Sequence, residues 1–398
     1  MSSTFDVAAI REKFPALKQK QLFFDNAGGS QILGDVVDAI VSYLTTTNVQ
    51  LGASYAVGQE STRKYSQGVT AAAKYINADP DEVVIGSSTT QLLRNLSEAL
   101  DFSPGDEIIV SALDHEANIA PWVALAAARS LTLKWWTLPP GTKNPILTPS
   151  SLVPLLSPRT RLVTCTHASN ILGTIQPIAA LADTVHTVPG ALFQVDGVAY
   201  APHGRLDMRA LGVDFYTFSW YKVYGPHVSL LYARRGAHEA SVRSLGHFFN
   251  PSQTLEQKLG LAGSNYELTA SIPVVAAYME QVGEHIAAHE QRLQSILLDY
   301  LRSKPDAITI FGVPEADREK RVPTVSWIVK GRSSKEVVEA VEKASDFAFR
   351  WGHFYSKRLL DDVLQAGEHG IIRFSMVHYN TEEEVKLFVD TFDRVVFG

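Results

Sequence analysis

Lys222 stands where a solvated charge has little reason to be. The stretch DFYTFSWYKVYGPHVSLLYARR, residues 214–235, reads as two strand-prone runs joined by a short turn that holds the lysine and a Tyr-Gly-Pro. A lysine kept partly out of water there can be a neutral amine, and so a nucleophile or a base. Other reactive residue types recur at the ends of strand-like runs. EVVIG is followed by Ser87, Ser88, Thr89, Thr90 and Gln91, and DEIIVSA by Asp114, His115, Glu116 and Asn118. RLVTCTHAS carries Thr166, His167 and Ser169 and leads to Asn170, ALFQVDG presents Asp196, and Ser219 and Tyr221 flank the lysine turn itself.

The elements that must position these residues obey a pattern. From about residue 80 to 235, short apolar strands alternate with helix-like segments such as TTQLLRNLSEAL, where Leu92, Leu93, Leu96 and Leu100 recur at helical spacing. That alternation predicts an α/β fold with a mostly parallel sheet covered on both faces, in which ligands sit at the carboxyl ends of the strands. The strands around Lys222 are too close for a helical crossover, so they are expected to pair antiparallel, as a hairpin at one side of the sheet. Beyond residue 265 the texture changes to a long helix with a bend expected at Pro273. Next come the strands ITIFG and TVSWIVK, a capped helix SSKEVVEAVEKA, a strand IIRFSMVHY and a final helix. We expect a large domain over 17–265, a smaller α+β domain over 266–398, and an N-terminal segment, 1–16, packed with the smaller one.

Composition narrows the function classes. The chain has 398 residues, 45% of them hydrophobic and 20% charged, with a net charge of −6 and no dense basic block, which speaks against nucleic acid or an anionic membrane as partner. The single cysteine, Cys165, precludes an intrachain disulfide and a Cys-rich zinc site. The N-terminus has no apolar signal region, and no apolar run approaches the ~18–20 residues of a membrane span, so a soluble, cytoplasmic protein is expected.

Several chemistries compete for the rim residues. The Ser/Thr cluster opening TTQLLRNLSEAL reads first, on its own, as a simple helix cap, and otherwise as part of a phosphate site. His115, His167 and Asp196 have the donor types of a metal site, but a metal leaves Lys222 and the hydroxyls without a task. A serine hydrolase is disfavoured because no G-x-S-x-G elbow is present. Pyridoxal 5'-phosphate uses the whole set. It needs a lysine for its Schiff base, an acid opposite its ring nitrogen, a flat ring against its face, and hydroxyls with a helix N-terminus for its phosphate.

On these residues the sequence resembles the class V aminotransferase family of fold-type I pyridoxal-phosphate enzymes, and within it the cysteine desulfurase and selenocysteine lyase group. The resemblance runs from FFDNAGGS to RFSMVHYNTEEEV and is strongest at Asp196 and at Lys222 in DFYTFSWYKVYGP. It implies a large domain with a mostly parallel, seven-stranded-type sheet and a small α+β C-terminal domain. It further implies that Lys222 carries the cofactor, that Asp196 partners the ring nitrogen, and that His115 stacks on the ring as a second catalytic residue. Asn170 would bond near the ring hydroxyl and the substrate, and Thr89, Thr90, Gln91, Ser219 and Tyr221 would hold the phosphate. Ser264, in LAGSNYE, matches a residue reaching the phosphate of a neighbouring subunit, which implies a homodimer with shared active sites. Arg373 matches the arginine that binds the α-carboxylate of a small amino-acid substrate, with Gly28 and Tyr355 also on the substrate side; the alternative for Arg373 is a surface arginine.

The departures bear on the reaction. Desulfurases carry a cysteine nucleophile on a loop after an Arg-x-Gly-His segment. Here that segment is Arg350-Trp351-Gly352-His353-Phe354-Tyr355, with Tyr355 at the cysteine position. Ala199 replaces a glutamine, and Tyr221 a histidine beside the lysine. Without the thiol, the expected function is a transformation at Cα of an amino acid in specialised metabolism. The first choice is a Mannich-type, C–C bond-forming cyclisation like that of a fungal alkaloid-pathway branch. The alternatives are a C–S lyase, an epimerase, or an inactive family member acting as a binding protein, and the presence of Lys222, Asp196 and Arg373 speaks against the last.

Overall fold

The computed structural model describes residues 5–249, 251–261 and 263–398. The chain begins with a two-residue strand, β1 (Leu22–Phe23), then lays down β2 (Val83–Gly86), β3 (Glu107–Ser111), β4 (Thr132–Trp136), β5 (Thr160–Thr166), β6 (Leu192–Asp196), β7 (Phe215–Ser219) and β8 (Ser229–Ala233). The C-terminal part adds β9 (Ile308–Phe311), β10 (Thr324–Val329), β11 (Phe347–Ala348), β12 (Arg350–Gly352) and β13 (Ile371–Ser375).

Seven of these strands form one sheet in the order β2-β8-β7-β6-β5-β3-β4. Every pairing is parallel except those of β8, which runs antiparallel to both neighbours. The expected hairpin about Lys222 is present as β7–β8, but β8 is not an edge, because β2 pairs on its outer side. Since β2 and β7 are both antiparallel to β8, β2 runs with the parallel strands. The carboxyl ends of β2, β3, β5, β6 and β7 therefore share one rim.

The sheet is buried on both faces, which explains its near-continuous apolar strands. Successive side chains of a strand point to opposite faces, and the burial has that period. Ile109, Tyr216, Phe218, Leu230 and Tyr232 belong to one core, while Ile108, Val110, Phe215, Leu231 and Ala233 belong to the other. The second core is closed by the helix Thr89–Ala99. Ser88 caps it by accepting from the Gln91 N–H, and Leu92, Leu93 and Leu96 form its buried stripe.

A four-stranded antiparallel sheet, β12-β13-β10-β9, forms the second body. Trp327, Phe374, Phe388 and Phe392 fill its core beneath the helices Ser334–Ala344 and Glu382–Val396. The latter starts with a capping box between Thr381 and Glu384. β1 pairs in parallel with β11, which brings Asp25 and its loop beside β13. In the N-terminal segment, Ile10 and Phe14 enter the core of the large sheet, while Arg11 pairs with Glu384 at 2.9 Å.

The helix Tyr266–Arg302 spans 37 residues and continues through Pro273. Pro273 has no N–H to give the Thr269 carbonyl. The neighbouring helix Ala56–Tyr75 approaches that carbonyl closely, and a Cβ on Gly68 would collide with the Thr269 oxygen. Along this one helix, Ile272, Val275, Tyr278 and Ile286 belong to the large-sheet core, and Leu293, Leu297, Leu298 and Leu301 to the small one. No helix among the described residues is long and apolar enough to cross a membrane.

Candidate active site

A cleft lies at the rim, and strand ends supply most of its lining. β7 ends at Ser219, and a 3-10 turn, Trp220–Lys222, leads into the hairpin. Trp220 is fully buried and anchors the turn, while Tyr224 takes a left-handed φ of 61° that lets the chain reverse. Lys222 is left facing the cleft at 9% exposure. Burial, reinforced by the nearby charge of Arg373, pushes its amine down to about 8, against the pull of Asp196 and Asp25. A lysine in this state is partly unprotonated near neutral pH.

Asp196 ends β6 and lines the cleft. One carboxylate oxygen accepts from the Val198 N–H at 2.9 Å, and burial raises its pKa. On the other side of the cleft, Thr89, Ser219 and Ser229 form a triangle of hydroxyls. Thr89 and Ser229 each lie 2.7 Å from Ser219, and Thr89 and Ser229 are 3.3 Å apart. Thr90, Ser88 and Tyr221 also line this end, at the N-terminus of the helix Thr89–Ala99, where free N–H groups and the helix dipole favour an anion. Gln91 is placed differently. Its side-chain oxygen accepts from the Ser87 N–H and hydroxyl at 3.1 and 3.2 Å, so it closes the turn from outside the cleft.

His115 lines the cleft after β3. Its Nδ1 accepts from the Ala117 N–H at 3.1 Å, which leaves the proton of the neutral ring on Nε2. Burial and the charges of Lys222 and Arg373 lower its pKa to about 4, so it offers a flat, uncharged ring. His167 turns away. It stacks on Tyr200 with centroids 3.7 Å apart and bonds the Tyr216 hydroxyl at 2.8 Å. Among the described residues, no group of His, Cys, Asp and Glu is arranged to hold a metal ion.

Asn170 lines the cleft after β5, its amide held by a turn at 354–356. Arg373, in the middle of β13, is 2% exposed, which overturns the surface reading. Its Nη1 donates to the Asn170 carbonyl at 3.2 Å, its Nη2 to Asp25 at 2.6 Å, and its guanidinium lies 3.9 Å from the centre of the Phe354 ring. Its Nε is buried without a partner. Gly28 sits in the loop after β1, against Asp25; next to it, Gly29 approaches the Tyr221 ring, and Ser30 is hydrogen-bonded to the Tyr221 carbonyl and the Tyr224 N–H. Tyr355 is 66% exposed, with its ring 5.2 Å from that of His115.

Ser264 does not line this cleft. It accepts from the Tyr65 hydroxyl at 3.0 Å, at the start of the long helix. Sequence reasoning placed Thr166 on the rim, where it lines the cleft, but missed Val198 as a lining residue and Asp25, Phe354 and Ser356 as supports. A charge straight after the apolar pair in FFDNAGGS was the one available signal for Asp25.

The cleft fits pyridoxal phosphate on its own chemistry. A buried amine, a buried carboxyl, a neutral imidazole and a hydroxyl-lined helix N-terminus converge on one space. The comparisons agree. The chain matches the class-V aminotransferase family over residues 22–388, and it belongs to that family. It is 53% identical to the aminotransferase-like protein FGM3 of Gibberella zeae, over 99% of this chain and 100% of that one. It is 40% identical to the cysteine desulfurase-like protein ustD of Aspergillus flavus, over 100% of this chain and 92% of that one. The fold superposes on a cysteine desulfurase from Thermococcus onnurineus with a TM-score of 0.89 at 23% identity, covering 100% and 99% of the two chains. The protein is a pyridoxal-phosphate enzyme.

Proposed function

We propose that this enzyme takes a proton from Cα of a small α-amino acid and uses the carbon so activated to form a C–C bond, in a Mannich-type cyclisation of specialised metabolism. The observation that carries the reading is the separation of amine from thiol. Lys222 is in the cleft with a lowered pKa, whereas Cys165 is fully buried inside β5, where burial pushes its thiol pKa well up. A persulfide-forming desulfurase needs an accessible thiolate, and Tyr355 stands at the loop position. The similarity to two fungal proteins, one named aminotransferase-like and the other cysteine desulfurase-like, is compatible with this reading.

Bound in the cleft, the cofactor supplies an electron-withdrawing ring that stabilises negative charge at Cα. The remaining work falls to side chains. Thr89, Thr90, Ser219, Tyr221 and the helix N-terminus would hold the phosphate. Asp196 would hold a proton on the ring nitrogen, and His115 would cover the ring face and exclude water. Arg373, whose Nη1 and Nη2 already donate to the Asn170 carbonyl and to Asp25, would fix the substrate carboxylate with its remaining N–H groups. Lys222 would accept the Cα proton on Nζ, a task suited to an amine with a pKa near the working pH.

A homodimer with shared sites belongs to the same reading. Ser264 lies outside its own cleft, and Phe248 and Phe249 are 99% and 70% exposed in the segment preceding it. These exposed aromatic rings would suit the surface of a partner subunit. We place the enzyme in the cytoplasm, where its one thiol stays reduced.

The test is a screen of α-amino acids in deuterated water. Deuterium at Cα together with a new C–C-bonded product supports the reading. Sulfide release makes the enzyme a C–S lyase, and exchange with inversion alone makes it an epimerase. Loss of a borohydride-sensitive band near ~420 nm in Lys222→Ala confirms the lysine; no such band in the wild type points to a binding protein. For the dimer, mixing Lys222→Ala with Ser264→Ala chains should restore one site.

A further inference from the structure

We propose that Ser356, together with the main-chain carbonyl of Phe354, is a positioning residue that sets which way the Asn170 amide faces in the cleft. The inference rests on the reading that Asn170 borders the cofactor. The Asn170 Nδ2 donates to the Phe354 carbonyl at 3.0 Å, and Oδ1 accepts from the Ser356 hydroxyl at 3.0 Å. A carbonyl can only accept, so the amide nitrogen must face Phe354 and the amide oxygen must face Ser356. Ser356 is 1% exposed, so its hydroxyl is held away from solvent. The clamp leaves one N–H and one lone pair of Asn170 for the cleft and fixes their directions.

The turn that supplies both partners is built to stay where it is. Phe354 and Tyr355 are consecutive non-glycine residues with φ of 47° and 60°, a conformation that L-residues avoid unless their surroundings impose it. Those surroundings are specific. The Ser356 N–H donates to the His353 carbonyl at 2.8 Å, and the Glu116 N–H to the Tyr355 carbonyl at 2.8 Å. The Phe354 ring is covered by the guanidiniums of Arg373 at 3.9 Å and Arg350 at 5.4 Å. Arg373 also holds the Asn170 main chain from the other end. One short turn therefore ties together His115, Asn170 and Arg373, three residues that reach the site from different elements.

The experiment is a pH titration of the absorption of the bound cofactor in substrate-free holoenzyme, for wild type, Ser356→Ala, Asn170→Ala and the double variant. Losing one hydrogen bond at Asn170 should move the titration midpoint of Ser356→Ala by about half a unit to one unit. Asn170→Ala should move it at least as far, and in that background Ser356→Ala should add nothing, because the hydroxyl acts through the amide. A midpoint unchanged in Ser356→Ala, or a shift that adds in full in the double variant, overturns the proposal. If wild type shows no bound-cofactor band, the functional reading fails and this inference fails with it; a normal band with an unaffected Ser356→Ala removes only the positioning role.

Discussion

Arg373 and Asp25 form an ion pair of 2.6 Å between strand β13 and the loop after β1, at the edge of the cleft. The guanidinium is buried and the carboxylate is partly open to solvent, so the pair is lopsided. Asp25 also reaches Arg350 at 3.4 Å. Removing the partner of a buried charge costs more than the pair itself is worth, because the charge left behind has neither water nor a counter-ion. Asp25→Ala should therefore lower stability by about 3 kcal/mol in urea unfolding. Asp25→Asn, which keeps an oxygen acceptor, should cost less. Equal stability of Asp25→Ala and wild type would contradict a buried, charged Arg373.

The lowered pKa of Lys222 gives stability a pH dependence of known sign. In the folded, cofactor-free chain the amine titrates at about 8, against an ordinary 10.5. Below about 8 it is charged in both states, and the folded state bears the cost of burying that charge. Between about 8 and 10.5 the unfolded chain binds more protons, so stability rises with pH through that window. Lys222→Met should be the more stable protein at pH 7, with the gap to wild type closing toward pH 10. The check is urea unfolding of both cofactor-free proteins at several pH values. The rate of cofactor uptake by wild type should rise through the same midpoint.

Cys165 should be chemically silent. It is fully buried in β5, and burial raises its thiol pKa well above the ordinary value. Iodoacetamide should label it only after unfolding, and incubation with cysteine should leave no persulfide on the protein by mass spectrometry. Cys165→Ala should cost about 1 kcal/mol of stability through the small void it leaves, with turnover preserved. A stoichiometric persulfide on Cys165, lost together with turnover in the variant, would return the enzyme to desulfurase chemistry.

Two glycines that look alike in sequence should respond in opposite directions. A Cβ on Gly68 would run into the Thr269 carbonyl, which is backbone and cannot move aside cheaply. Gly68→Ala should therefore destabilise by about 1–3 kcal/mol, as overpacking does. Gly283, inside the long helix, would place a Cβ where no heavy atom lies within 4 Å. Gly283→Ala should stabilise by about 1 kcal/mol, the helix preference for alanine over glycine. Thermal melts of the two variants decide the matter, and a Gly68→Ala protein as stable as wild type or more so would refute the contact at Thr269.

Much of the site was legible in the sequence because parallel strands turn chain order into geometry. Lys222, Asn170, His115 and Thr89 each come just after a strand and Asp196 ends one, and strands running the same way bring their carboxyl-terminal ends to one rim. The position of β8 was not legible, since a hairpin specifies its own pairing and says nothing about a third strand arriving outside it. Nor was the placement of Gln91, which sits at the right helix terminus but spends its side chain on the turn before it. The contacts of Asp25, Phe354 and Ser356 with Arg373 and Asn170 join segments far apart in the chain. No local pattern of residue types encodes such contacts, because they exist only once both sheets have formed.

The helix Tyr266–Arg302 lends its first half to one core and its second half to the other, so neither body is complete without it. A gene cut at residue 265 would leave the N-terminal product with an open apolar face where Ile272, Val275 and Tyr278 belong, and the C-terminal product with those same side chains bare. Complementation between separately expressed halves is thus unfavourable at that junction. The exposed turn near Gly331, where a Cβ meets nothing within 4 Å, offers a cut that leaves the shared rod whole.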